Sequence, residues 1–206
     1  MMSLSAQNKV PIRLLSDGHS FYENLAALLR GASLSDEETT SRLAAATAVE
    51  LLVLTPHSAL VPADHLVAED AALHLAAIGY LPTKHERVVI SEAHDGAVAV
   101  MALDARIVER LDAHPAAVSY LSPLCRSVEP QSTVIALYGA VMYLLVAREG
   151  LLLAEAVAVE NDADVLYYLE AIDRTYGIYN MYARAEGDSS RLRQICKRQF
   201  RRLICE

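Results

Sequence analysis

The chain has 206 residues, of which 53% are hydrophobic and 21% charged, with a formal net charge of -8. This apolar share excludes a disordered chain, and no run approaches the roughly 18 to 20 unbroken apolar residues of a membrane-spanning helix. Three cysteines (Cys125, Cys196, Cys205) provide neither a disulfide framework nor a CxxC metal motif, and the N-terminus lacks a basic-then-apolar signal pattern, so a cytoplasmic protein is expected.

Charge is unevenly distributed. Residues 191–206 hold Arg191, Arg193, Lys197, Arg198, Arg201 and Arg202 against Glu206 alone; the remainder keeps 12 basic and 25 acidic residues, a balance of -13.

In chain order, residues 1–9 read as a loose polar arm. Val10–Leu15 and Ser20–Asn24 flank Asp17-Gly18, a hairpin signal because glycine accepts positive φ at little cost. Ser33–Thr40 reads as an exposed polar excursion and Val49–Leu54 as a buried strand. Asp64–Ile78 has helical spacing up to Gly79, and Glu86–Ala93 and Ala97–Leu103 are strands around a His94-Asp95-Gly96 turn. Asp104 caps a helix that Pro115 terminates; Ala116–Leu121 is a strand, with a helical turn near Pro123–Val128. Glu129–Ser132 is the candidate boundary. Beyond it Thr133–Tyr138, Ala140–Arg148 and Leu151–Glu160 are consecutive strands, followed by a helix from Asn161 to Tyr176 ended by Gly177, a strand from Ile178 to Ala185, and a final helix from Gly187-Asp188-Ser189-Ser190 to about Ile204. The expected fold class is α/β, with mixed sheets and flanking helices, divided into residues 10–130 and 131–206.

This element order, with the phrases IRLLSDGHSFYE, Leu60-Val61-Pro62 and ENDADVLYYLEAIDRTYGI, resembles a bacterial family of unknown function with an actin-like ATPase fold, related to PilM and FtsA. The resemblance implies a duplicated, ribonuclease H-like architecture. In active members of that superfamily, an acid and glycines in a tight hairpin of each half cradle phosphate, and a glycine pair before a late helix makes room for adenosine. Asp17-Gly18-His19-Ser20 looks like an eroded first phosphate loop; Leu137 or Tyr138 stands where the second acid belongs, beside Gly139; Glu186 replaces the first glycine of the pair, before Gly187. A carboxylate there repels phosphate. At this length both halves are expected to lack inserted subdomains. The resemblance thus implies a non-catalytic actin-like module acting through protein contacts, self-association included, with no cofactor. The alternative is a weak or regulatory binder of ATP with magnesium, using Asp17, Gly18, Gly139, Gly187 and Ser189.

Other motifs carry less chemistry. His65 and Glu69 share a helical spacing that suits a metal but also suits a solvated face. No GxSxG elbow accompanies the Ser, His and Asp residues, so no catalytic residue is assigned. Leu192, Ile195, Cys196, Gln199 and Leu203 make the tail helix amphipathic, leaving Arg191, Lys197, Arg198, Arg201 and Arg202 as a candidate partner surface. Nucleic-acid binding through this helix is the second alternative, and not the expected one, because the acidic remainder repels phosphate and no binding motif is present.

Overall fold

The computed structural model describes residues 11–205, so the arm at residues 1–9, Val10 and Glu206 lie outside the described residues. It is a mixed α/β architecture of three sheets and, among the described residues, six α-helices.

The first sheet has the order β2-β1-β3-β7. β1 (Ile12–Ser16) and β2 (Phe21–Tyr22) form the hairpin, β3 (Ala48–Val53) runs parallel to β1, and β7 (Ala117–Leu121) runs parallel to β3. Side chains alternate across a strand, so Leu14, Val49, Leu51 and Val53 enter one core while Leu15, Leu52 and Leu54 face another. Both faces are therefore covered, which explains the near-continuous apolar run of β3.

Between β3 and β7 the chain leaves this sheet and builds a second one, antiparallel, ordered β4-β6-β5 from Ser58–Pro62, Ala97–Asp104 and Glu86–Ile90. β6 is buried on both faces: Ala99, Met101 and Leu103 pack toward the first sheet, and Val98, Val100 and Ala102 toward a helix at Ala71–Ala77. The expectation that no unit is inserted here is overturned.

Around these sheets, α1 spans Leu25–Leu29, α2 Asp36–Ala45, α3 Ala71–Ala77 and α4 Ala105–Asp112. The excursion expected at Ser33–Thr40 is instead the start of α2. Ser35 and Glu38 form a reciprocal capping box there, and Arg110 of α4 holds the carboxylate of Asp36 at 2.8 Å. The long helix expected over 64–78 is broken into two short 3-10 turns and α3, because Leu66 and Val67 are extended and Leu66 packs on the second sheet. His65 and Glu69 fall in different turns and share no helix face. No helix forms at Pro123–Val128.

The third sheet has the order β10-β9-β8-β11-β12. β8 (Ser132–Tyr138), β9 (Val141–Ala147) and β10 (Leu151–Ala158) are an antiparallel meander; β11 (Tyr182–Gly187) and β12 (Arg202–Cys205) run parallel to β8. α5 (Asp162–Tyr176), capped by Asn161 and stopped by left-handed Gly177, and α6 (Ser189–Cys196) cover one face through Val165, Leu169, Leu192 and Cys196. The final helix therefore ends at Cys196, not near Ile204. Phe200 turns inward to meet Tyr179 edge-on at 4.9 Å, and Leu203 and Cys205 then alternate inward as a strand. A continued helix would also stack Lys197 and Arg198 against Arg201 and Arg202 at destabilising i,i+3 and i,i+4 spacings.

Candidate functional site

The first and third sheets meet along a seam. Leu15, Tyr22 and Leu54 pack against Ala136, Val141 and Tyr143, with Leu124 of the connecting segment between them. Tyr143 is fully buried, and its hydroxyl reaches the C-terminal end of β3: it accepts from the Thr55 amide at 2.8 Å and donates to the Thr55 carbonyl at 3.2 Å. Burial pushes this phenol far above its ordinary range, so it stays neutral and hydrogen-bonded. Tyr138 lies edge-on to it, with ring centroids 6.1 Å apart.

At the mouth of the seam Arg126 pairs with Glu186 from the end of β11, and Arg184 reaches the same carboxylate at 2.9 Å. The Tyr138 phenol beside them is raised by burial, an effect that Arg126 opposes and Glu186 reinforces. The hollow that remains, lined by Leu52, Leu121, Cys125, Arg126 and Tyr138 among others, measures about 230 Å³. Small-molecule sites run from about 300 to 1,000 Å³.

The residues considered for nucleotide are placed as follows. Asp17 is used within its own turn: one carboxylate oxygen accepts from the amides of His19 (2.9 Å) and Ser20 (2.7 Å), the other from the Tyr22 hydroxyl (3.0 Å). Gly18 has φ +89° and its carbonyl accepts from the Asp104 amide, which ties the turn to the second sheet. Gly139 supplies the positive φ of the β8–β9 turn. Gly187 is required sterically, since a Cβ would lie 2.1 Å from the Leu137 carbonyl oxygen. It thus sits beside the Gly139 turn, whereas Asp17 and Gly18 contact Tyr22, Asp104 and Thr55. Ser189 opens α6, but that N-terminus is already capped by Asp188, whose carboxylate accepts from the Arg191 amide at 3.1 Å. Asp188 thus occupies the helix end where a phosphate would need its amides, while Glu186, on the sheet face opposite Ala185, is held by Arg126 and Arg184.

The basic residues do not share one helix face. Arg191 holds Asp162 of α5 at 2.7 Å, Lys197 is the C-cap of α6, Arg198 lies in the loop that follows, and Arg201 and Arg202 lead into and begin β12.

Two further polar clusters are internally satisfied. A hollow of about 460 Å³ is lined by His19, Asp104, Arg106 and Arg110 among others, and both arginines are spoken for: Arg106 holds the Asp104 carboxyl down at about 2, and Arg110 pairs with Asp36. Tyr80 stacks on His57 at 3.5 Å and donates to Glu86; burial first, and that carboxylate second, push its phenol up to about 12. No group of three or more His, Cys, Asp and Glu among the described residues could hold a metal, and no described helix is long and apolar enough to cross a membrane.

Tyr143 and Arg126 escaped the sequence reading. The signal for Tyr143 was a single hydroxyl within the otherwise apolar run VMYLLVA; that for Arg126 was faint, a lone cation between Pro123 and Glu129.

No family model and no curated protein matches the chain. Among solved structures it is similar to a Bacteroides thetaiotaomicron protein with an actin-like ATPase fold and unknown function, with a TM-score of 0.71 and 12% identity over 100% of this chain and 94% of that one. The cytoplasmic domain of EpsL, an inner membrane component of the Vibrio cholerae type II secretion system, aligns with a TM-score of 0.44 and 11% identity, over 94% of this chain and 88% of that one. The fold is thus actin-like, as the sequence resemblance implies.

Proposed function

We propose that the chain is a non-catalytic actin-like module that acts by binding protein. In this reading residues 10–130 and 131–206 are two copies of one unit. The first sheet repeats the order of the third with one meander strand missing and the antiparallel sheet inserted before its last strand. The observation that carries the reading is the Arg126–Glu186 pair beside Tyr138: at the position that the resemblance gives to the first glycine of the adenosine motif there is a carboxylate with its counter-ion. The Tyr143–Thr55 hydrogen bonds support it, since they join the two sheets directly and the hollow left beside them is only about 230 Å³.

Isothermal titration with magnesium ATP tests the proposal, and no heat is expected at millimolar nucleotide. A measured ATP turnover that is lost on Asp17→Ala would overturn it in favour of a nucleotide-using protein.

A further inference from the structure

The geometry points to the β11–β12 margin of the third sheet as a docking surface for an extended, acidic segment of a partner protein, added as a strand along β12. This rests on the reading of the chain as an interaction module.

Among the described residues β12 is the edge of its sheet and pairs with β11 alone, so alternate backbone amides and carbonyls point away from β11, toward where a further strand would lie. Its side chains divide by face. Leu203 and Cys205 go down with Ala183 and Ala185 into the core beneath α6. Tyr182, Arg184, Arg202 and Ile204 therefore share the opposite face, where Tyr182 is 37% exposed and Ile204 46%. An open hollow of about 690 Å³ runs beside Tyr182, lined also by Gln131, Asn180, Met181, Arg201 and Arg202.

The charge pattern selects the occupant. Many arginines elsewhere have partners within the fold, Arg13 with Glu50, Arg42 with Glu23, Arg106 with Asp104, Arg110 with Asp36 and Arg191 with Asp162; Arg30 and Arg174 make no ion pair among the described residues but stand singly in the sequence. Lys197, Arg198, Arg201 and Arg202 make no ion pair among the described residues, in a chain whose first 190 residues carry an excess of acid. A local cationic excess beside a free strand edge complements an anionic peptide: main-chain bonds give affinity, and carboxylates against Arg201 and Arg202 give orientation. Same-face positions of a strand are two residues apart, so the open face calls for an acidic residue beside Arg202 and, two positions on, an apolar one beside Ile204, with Tyr182 one strand further in. A nucleic acid fits less well. It offers no peptide group to a strand edge, it finds a single aromatic ring, and the remainder of the chain repels it.

The test is fluorescence anisotropy with three labelled probes: a glutamate–valine peptide of Glu-Ser-Val-Ser repeats, which sets both residues on one face, its lysine–valine counterpart of Lys-Ser-Val-Ser repeats, and a single-stranded oligothymidylate. The glutamate–valine peptide is expected to bind, more weakly as salt rises, and to lose at least about tenfold in affinity when Arg201→Glu and Arg202→Glu are combined. Tyr182→Ser should weaken it without altering the thermal melt. The assignment falls if the glutamate–valine peptide does not bind at high micromolar concentration, if the double variant binds it equally, if the lysine–valine peptide binds as well, or if oligothymidylate binds in its place. In those cases the arginines only guard the edge against mispairing or serve another polyanion. Nucleotide titration of the same preparation separates this result from the parent reading: heat with magnesium ATP would remove the non-catalytic proposal and leave a peptide-binding edge standing.

Discussion

The third sheet keeps three antiparallel strands ahead of its two parallel ones, while the first sheet keeps two, with β2 reduced to Phe21–Tyr22. The third sheet closes one of its cores with its own helices, α5 and α6. The first sheet borrows at both faces: β5 and β6 of the inserted sheet supply Val89, Ala99, Met101 and Leu103 on one side, and β8 and β9 supply Ala136, Val141 and Tyr143 on the other. The two sheets are thus unequal in independence. The seam between them is part of what holds the first sheet together.

The most severe way to break this asymmetry is Tyr143→Ala. It removes a fully buried ring and the hydroxyl that satisfies the Thr55 amide; a cost of about 4 kcal/mol is expected, or about 8 to 16 °C in melting temperature. The loss should fall on the first sheet, so calorimetry should show an early transition separating from a later one. A single, merely lowered transition would show that the sheets are equally interdependent.

Gly187→Ala probes the other side of the comparison, since it strains the third sheet alone. A Cβ there meets the Leu137 carbonyl oxygen at a backbone φ of +72°, for an expected cost of about 3 kcal/mol. Chemical denaturation should record a lower midpoint, and a variant as stable as the parent would mean that the β8–β11 contact can relax.

The smallest effect is sought at the joint between the first and second sheets. Asp104 caps α4 and is held at about 2 by Arg106, so Asp104→Asn should cost about 1 kcal/mol at neutral pH. The sign follows from the depressed folded value: this contribution is present above the ordinary 3.8 and is lost as pH falls from there through about 2. Parent and variant melts should therefore converge across that window; a gap that persists at pH 2 would assign the effect to packing.

The third sheet was largely legible in the sequence. Its strands are long apolar runs punctuated by Gly139 and Gly150, and Asn161 and Gly177 bracket α5. The errors arose where tertiary contacts outweighed local pattern. Leu66 satisfies a helical period, yet packs on the second sheet in an extended conformation; Phe200 and Leu203 fit a helix face, yet are pulled into the core from a loop and a strand. The capping box at Ser35 and Glu38 was present and was outweighed by the polar composition around it. At the site, the carboxylates of Asp17 and Glu186 were visible as residues, but their partners lie far along the chain or within the turn itself. Arg126 is 60 positions from Glu186, and Tyr143 is 88 from Thr55. No spacing rule connects such pairs.

The inserted sheet also has a consequence for synthesis. β3 ends at Val53 and its neighbour β7 begins at Ala117, so one side of β3 stays unpaired until the whole antiparallel unit has emerged. At about 5 to 20 residues per second that interval is on the order of 3 to 13 s. In the third sheet β9 and β10 each pair with the strand just made, and the other side of β8 waits a shorter interval, from Tyr138 to the start of β11 at Tyr182. The nascent chain therefore carries an open, apolar strand edge for seconds, and the stretch Ala48–Val53 is where a chaperone would have most to protect.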